Sequence, residues 1–164
     1  MPITLCYSRN RSTSVEQIDD QTMTSTCCLQ DSLTEAMVHI TVRFPELEII
    51  SAEGRVTRSS LRGCHNVEEA LQKVKGVRIG PGMKKIINGL LGEVTDCKEL
   101  PFMVEECCHG IILAFTKDAL DLAPDEEEQT VDFFKDMVKK NIRLYNRCAA
   151  FAPGSPLVNG LDPC

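Results

Sequence analysis

Ala36-Met37-Val38-His39-Ile40-Thr41-Val42-Arg43-Phe44 decides the fold class. Ala36, Val38, Ile40, Val42 and Phe44 fall on one side of a two-residue period, and Met37, His39, Thr41 and Arg43 fall on the other. That is the pattern of a half-buried β-strand. Pro45-Glu46 supplies a short turn, and Leu47-Glu48-Ile49-Ile50-Ser51 reads as the return strand of a hairpin. Upstream, Thr22 to Leu29 is Thr-rich and sets Met23, Ser25, Cys27 and Leu29 on one face. Ile3 to Ser8 is expected to add an edge strand. An antiparallel sheet of three or four strands follows.

Beyond this sheet the period changes from two to that of a helix. Asn66 and Glu69 have capping-box spacing, and Val67, Ala70, Leu71 and Val74 form an apolar stripe that Gly76 stops. Pro81 suits a first helical position, ahead of a second stripe of Met83, Ile86, Ile87 and Leu90 ended by Gly92. Asp96 is placed to cap a third helix. Pro101 pushes its regular part to about Leu100, and Val104, Cys108, Ile111 and Phe115 line one face. A last helix is expected from Asp125 to Cys148, with acidic residues at its start and Lys139, Lys140, Arg143 and Arg147 near its end, both favourable to the helix dipole. The expected fold is therefore α+β, with an N-terminal antiparallel sheet of three or four strands packed against about four C-terminal helices. Residues 1–150 are expected to form one domain and 151–164 an irregular tail.

Composition limits the function classes. The 164 residues are 43% hydrophobic and 26% charged, ordinary for one globular domain. No apolar run reaches the ~20 residues of a membrane-spanning helix, and Met1 to Arg9 lacks a signal-peptide pattern. A cytoplasmic setting is the default. The net charge of −6 argues against nucleic acid, whose binding depends on neutralising phosphates. Nine cysteines are many for such a chain. In a reducing compartment they point to core thiols, metal ligands or redox chemistry. Without any C-x-x-C motif the redox reading is weak, and most of these thiols are expected to act as small core hydrophobes.

Three groupings carry chemistry. Cys64, His65, Cys97 and Glu99 stand at helix starts or in loops, where three or four donors could converge on zinc or iron. Cys97 and Cys108 cannot share an ion, because a helix between them separates them by about 16 Å at 1.5 Å per residue. Arg78-Ile79-Gly80-Pro81-Gly82 opens a helix, so Arg78, Gly80 and Gly82 could hold a phosphate or carboxylate, although no Walker or dinucleotide motif is present. Its plainer reading is a tight turn between closely packed helices. The same helix–turn–helix segment weakly resembles a helix-hairpin-helix, but Ile86 is bulky where that motif needs a small residue. The last helix carries apolar residues on two faces, Val131, Phe134, Val138, Ile142 and Tyr145 on one and Phe133, Met137 and Leu144 on the other. Homodimerisation through 125–148 would cover them. Cys107-Cys108-His109 lacks the cationic surroundings of a reactive thiol.

From Cys64 through Arg78-Ile79-Gly80-Pro81-Gly82 to Cys97, the chain resembles a family of uncharacterised bacterial proteins, a domain of unknown function. That family's pattern is a cysteine, then Arg-Ile-Gly-Pro-Gly-Trp opening a helix, then Gly-Cys-Thr-His-Leu. The resemblance is specific over 64–100 and looser over about 20–55. Met83 stands for the Trp, Asp96 for the Gly and Glu99 for the His. It implies a small site around the two cysteines, with Glu99 in the histidine's place, and names no reaction. The sequence-based expectation is thus a metal- or small-ligand-binding protein, with a non-enzymatic oligomeric module as the alternative and a nucleic-acid hairpin as the second alternative.

Overall fold

The computed structural model describes residues 3–59, 66–92, 95, 97–121 and 130–161, with the backbone alone for 118–121 and 143. Four strands, β1 (Arg9–Asp19), β2 (Thr22–Asp31), β3 (Thr34–Arg43) and β4 (Glu48–Ser59), form an antiparallel meander in the order β1-β2-β3-β4. Four helices follow: α1 (Val67–Gln72), α2 (Met83–Gly92), α3 (Glu99–Asp121) and α4 (Val131–Lys140). The α+β architecture is the one the two hydrophobic periods predict.

The register confirms the faces. Cys27 lies opposite Val38, Ser25 opposite Ile40 and Met23 opposite Val42, and all six side chains are buried. Burial of each large apolar side chain contributes roughly 1.5–3 kcal/mol. The edge strand differs from expectation. Ile3 to Ser8 is not a strand, and Ile3 and Leu5 are exposed at 101% and 80%. The edge is the polar segment Arg9–Asp19. Its core-facing positions are filled by Arg11, whose guanidinium lies 4.6 Å from the Phe102 ring centroid, and by Thr13 and Val15. β4 also continues past Ser51 to Ser59.

Two glycines set the distance between layers. A Cβ on Gly54 would lie 2.7 Å from Leu71 Cδ1 and 2.9 Å from the Met37 carbonyl oxygen, so the bare backbone is what lets α1 sit on β4. A Cβ on Gly110 would lie 3.0 Å from methyl groups of both Thr13 and Val15; α3 therefore rides close over β1 and β2. The stripe Val67, Ala70, Leu71 and Val74 is buried as expected. The capping box is not formed, because Asn66 is left-handed (φ 59°) and its side chain caps nothing. In α2 the buried stripe is Met83, Ile87 and Leu91, whereas Ile86 is 50% exposed. Helix α2 begins at Met83, two residues after Pro81. Pro101 lies within the first turn of α3, where amides have no intrahelical acceptor to lose. Asp96 and 125–129 lie outside the described residues.

The contacts divide the chain into two compact units, Met1–Ala114 and Phe115–Cys164. The second contains α4, which ends at Lys140 and not near Cys148. Asn141 (φ −130°, ψ 76°) leaves the helical conformation, and short 3-10 turns follow at Ile142–Leu144 and Ala149–Phe151. Val138, Leu144 and Val158 form this unit's buried cluster, with Met137, Tyr145, Phe151 and Leu161 packed against it. Part of the wide apolar surface of α4 is thus used within its own unit, by residues of the turn-rich tail.

Candidate functional site

The first unit carries a charged clamp at one end of its sheet. Asp31 ends β2, and its side chain is only 1% exposed. Arg9 Nη2 lies 2.7 Å from Asp31 Oδ2, the Leu33 and Thr34 amides donate to Oδ1 at 2.8 and 2.6 Å, and the Tyr7 hydroxyl is 3.2 Å from Oδ2. Burial alone would raise the Asp31 pKa. The Leu33 amide, Arg9, the Thr34 amide and Tyr7 outweigh burial and hold it at about 2. The same Arg9 reaches Glu99 Oε1, the first residue of α3, at 3.4 Å. Arg58 Nη2 donates to the Asp31 carbonyl oxygen at 2.6 Å.

This clamp ties the two chain segments that bear the sequence-predicted ligands. Ser59, the last residue of β4, pairs with Thr34, and Thr34 is hydrogen-bonded to Asp31, which is paired with Arg9 and so with Glu99. The end of β4 and the start of α3 therefore lie at the same end of the sheet, on its two edges, about 14 Å apart at a strand spacing of about 4.8 Å. Cys97 precedes α3, is 3% exposed, and its amide donates to Thr95 Oγ1 at 3.1 Å. Cys64 and His65 lie between β4 and α1, outside the described residues. Among the described residues, no three His, Cys, Asp or Glu side chains converge as a metal group.

The Arg78–Gly82 turn stands apart from this end. Ile49 and Ile79 donate to the Val77 and Leu47 carbonyls, both at 2.9 Å, and Arg78 bridges to Glu48. The turn is thus stitched to the first residues of β4. Glu99 contacts Arg9, at the far end of a strand that is about 30 Å long at 3.3 Å per residue. Arg78 and Glu99 do not share one small site. Gly76 and Gly82 both have φ 83°, a left-handed conformation that suits glycine. The Met83 amide bonds the Gly80 carbonyl, and the Lys85 and Ile86 amides bond that of Gly82. Lys84 Nζ reaches Glu105 Oε2 at 3.2 Å, and Asn88 Nδ2 also donates to that carboxylate. Glu105 is 7% exposed, so this pair fastens α2 to α3 and engages the Lys84 charge there.

The remaining described thiols span the range of burial, with Cys28 intermediate. Cys27, Cys107 and Cys108 are buried, while Cys6 and Cys148 are exposed. Burial raises the Cys27 and Cys107 pKa values, and burial followed by the Glu105 charge pushes Cys108 up to about 12. Cys107 Sγ is 3.7 Å from the Val38 carbonyl oxygen. These are core thiols, and His109 beside them is exposed, 3.9 Å from Glu106.

Strands β3 and β4 and helix α1 together frame a feature that the sequence does not announce. A cavity of about 590 Å³ is lined by Met37, His39, Glu53, Arg55, Glu68 and Gln72, with Gly54 between them. His39 is half-buried, and its Nδ1 is 2.8 Å from Thr26 Oγ1. Glu53 lies directly across from it on β4. The hint in the sequence is the polar set on β3 and the polar run after Ser51, which become adjacent only once β4 is known to continue.

Among the described residues, no helix is long and apolar enough to cross a membrane. No curated protein and no solved structure matches this chain. Residues 9–109, from the clamp arginine through all four strands to the middle of α3, match the family model described as Protein of unknown function (DUF2889), and the chain belongs to that family.

Proposed function

We propose that this domain binds a metal ion, zinc or iron, at the sheet end where β4 finishes and α3 begins. Cys97 and Glu99 supply two donors. A protein site needs three or four, and Cys64 and His65, in the connection after β4, are the remaining ones. The observation that supports this reading is the hydrogen-bonded chain Arg58–Asp31–Arg9–Glu99, which runs across the sheet end from β4 to the start of α3. Thiolate, imidazole and carboxylate together suit zinc or ferrous iron better than magnesium or calcium. Glu99 is held through one oxygen at a long 3.4 Å, which leaves its second oxygen for a cation. The thiol ligands fit a reducing, cytoplasmic setting.

Elemental analysis of untagged protein purified without oxygen tests this. About one zinc or iron per chain is expected, falling below a tenth of that in Cys64→Ser and Cys97→Ser. A metal-free wild-type chain that also fails to take up zinc under reducing conditions contradicts the reading.

A second reading rests on the cavity between β3, β4 and α1. Its volume falls in the ~300–1,000 Å³ range of small-ligand sites, and it presents Arg55 and His39 beside Glu53 and Glu68. Ligand-induced perturbation of the His39 ring resonances, with metal content unchanged, would favour it.

A further inference from the structure

The cavity framed by β3, β4 and α1 holds charges of both signs that are not paired with one another. His39 lies opposite Glu53 across the two strands, and Met37 lies opposite Arg55. All four fall on one face by the two-residue period of a strand. Glu68 and Gln72, one turn apart on α1, line the other side. Gln72 Nε2 donates to the Ala52 carbonyl at 3.3 Å, which holds α1 against β4 and leaves Gln72 Oε1 as an acceptor. His39 Nδ1 is engaged by Thr26 Oγ1, so Nε2 is the nitrogen left for a ligand. The Arg55 guanidinium and the Glu68 carboxylate have no partner among the described residues, and Glu53 accepts only from Ser51, at a long 3.5 Å.

This mixture decides the ligand class. Glu53 and Glu68 repel a simple anion brought to Arg55, and Arg55 repels a simple cation brought to the glutamates. His39, Glu53 and Glu68 do not converge as a metal group. A ligand that carries both signs satisfies every group. Glu53 and Arg55 are two residues apart on β4, about 6.6 Å at 3.3 Å per residue. That spacing suits the neighbouring ammonium and carboxylate of an α-amino acid, with a hydrogen bond at each end. The guanidinium fork takes a carboxylate through two bonds, and an ammonium has three donors for Glu53, Glu68 and Gln72 Oε1. Met37 supplies an apolar wall.

We propose that this cavity binds a free α-amino acid with an uncharged side chain, its carboxylate on Arg55 and its ammonium between Glu53 and Glu68. The proposal rests on reading the cavity as a small-ligand site and shares no residue with the proposed metal site.

Nuclear magnetic resonance of the full chain tests it, with the His39 ring signals assigned by their loss in His39→Gln. L-Leucine or L-methionine at millimolar concentration should shift those signals saturably. Acetylating the amine, or converting the carboxylate to the amide, should raise the dissociation constant at least tenfold. Glu53, Arg55 and Glu68 are exposed, so their variants should keep the fold by circular dichroism. Arg55→Met should weaken the free amino acid to the level of its amide while changing the amide little. Glu53→Gln with Glu68→Gln should weaken it to the level of the acetylated form. Blocked forms that bind as tightly as the free amino acid overturn the proposal and leave the small-ligand site standing. So does a shift that Arg55→Met leaves unchanged, or a response to other small anions or cations with none to amino acids. Silence toward amino acids, anions, cations and neutral fragments alike removes both the proposal and the site.

Discussion

The middle of the sheet and its β1–β2 end use cysteine and carboxylate in opposite ways. In the middle, Cys27, Cys107 and Cys108 are wrapped by the same layer that buries Val38, Ile40 and Ile111, and burial keeps their thiols protonated. At the end, Cys97 sits next to a helix start, with Glu99 and the Arg9–Asp31 pair close along the chain and the sheet. The Asp31 side chain is also withdrawn from solvent, yet it stays ionised because amides and a guanidinium surround it. Burial alone therefore does not mark a functional group; its polar company does.

Substitutions can break or sharpen that contrast. The largest effect is expected in the middle: Ile40→Ala removes a fully buried side chain and should cost about 2–5 kcal/mol in urea unfolding, whereas Cys97→Ala in metal-free protein should cost well under that. Gly110→Ala comes next. Its Cβ would meet Thr13 and Val15 methyls at 3.0 Å and Ser25 Oγ at 3.2 Å, so separating α3 from β1 should cost about 1–3 kcal/mol. A cost near zero would mean that the helix moves away freely.

The acid limb of stability reports on the sheet end. The Asp31 pKa is depressed in the folded chain, so its stabilisation is complete above the ordinary carboxylate value of about 3.9 and is lost as pH falls toward about 2. Asp31→Asn should lower stability at neutral pH and flatten its fall across that window. An unchanged acid limb would show that the clamp does not couple to folding. The smallest perturbation is thiol labelling of native protein. Cys6 and Cys148 should react quickly and Cys107 and Cys108 only on unfolding, as peptide mapping after a timed quench would show. Rapid native labelling of Cys107 would erase the distinction between the two regions.

Legibility in the sequence follows from where apolar residues meet their partners. The alternation from Ala36 to Phe44 is readable because β3 is covered on one face along its whole length. β1 is not, since Arg11 stacks on Phe102 where an aliphatic side chain would ordinarily announce a strand. Ile3, Leu5 and Tyr7 alternate convincingly and yet are exposed, because no layer lies over them. The end of α4 is hidden for a related reason. Val138 and Leu144 are buried by Val158, from a tail whose Pro and Gly suggest nothing to pack against. For the candidate site, Cys97 and Glu99 stand at a helix start as expected. The clamp that links them to β4 is invisible in the sequence, because Arg9, Asp31 and Glu99 are far apart along the chain and ordinary in composition. The Arg78–Gly82 turn is legible as a turn, but its pairing with the opposite end of β4 depends on knowing where that strand begins.

Cobalt substitution tests the central claim most directly, since it counts sulfur donors at one ion. Metal-free chain titrated with Co²⁺ under anaerobic, reducing conditions should saturate near one equivalent and show a thiolate-to-cobalt charge-transfer band. That band should fall by about half in Cys64→Ser and in Cys97→Ser and be absent from the double variant, with Cys107→Ala unchanged. A wild-type spectrum without the band, or one that survives loss of both Cys64 and Cys97, would contradict the account.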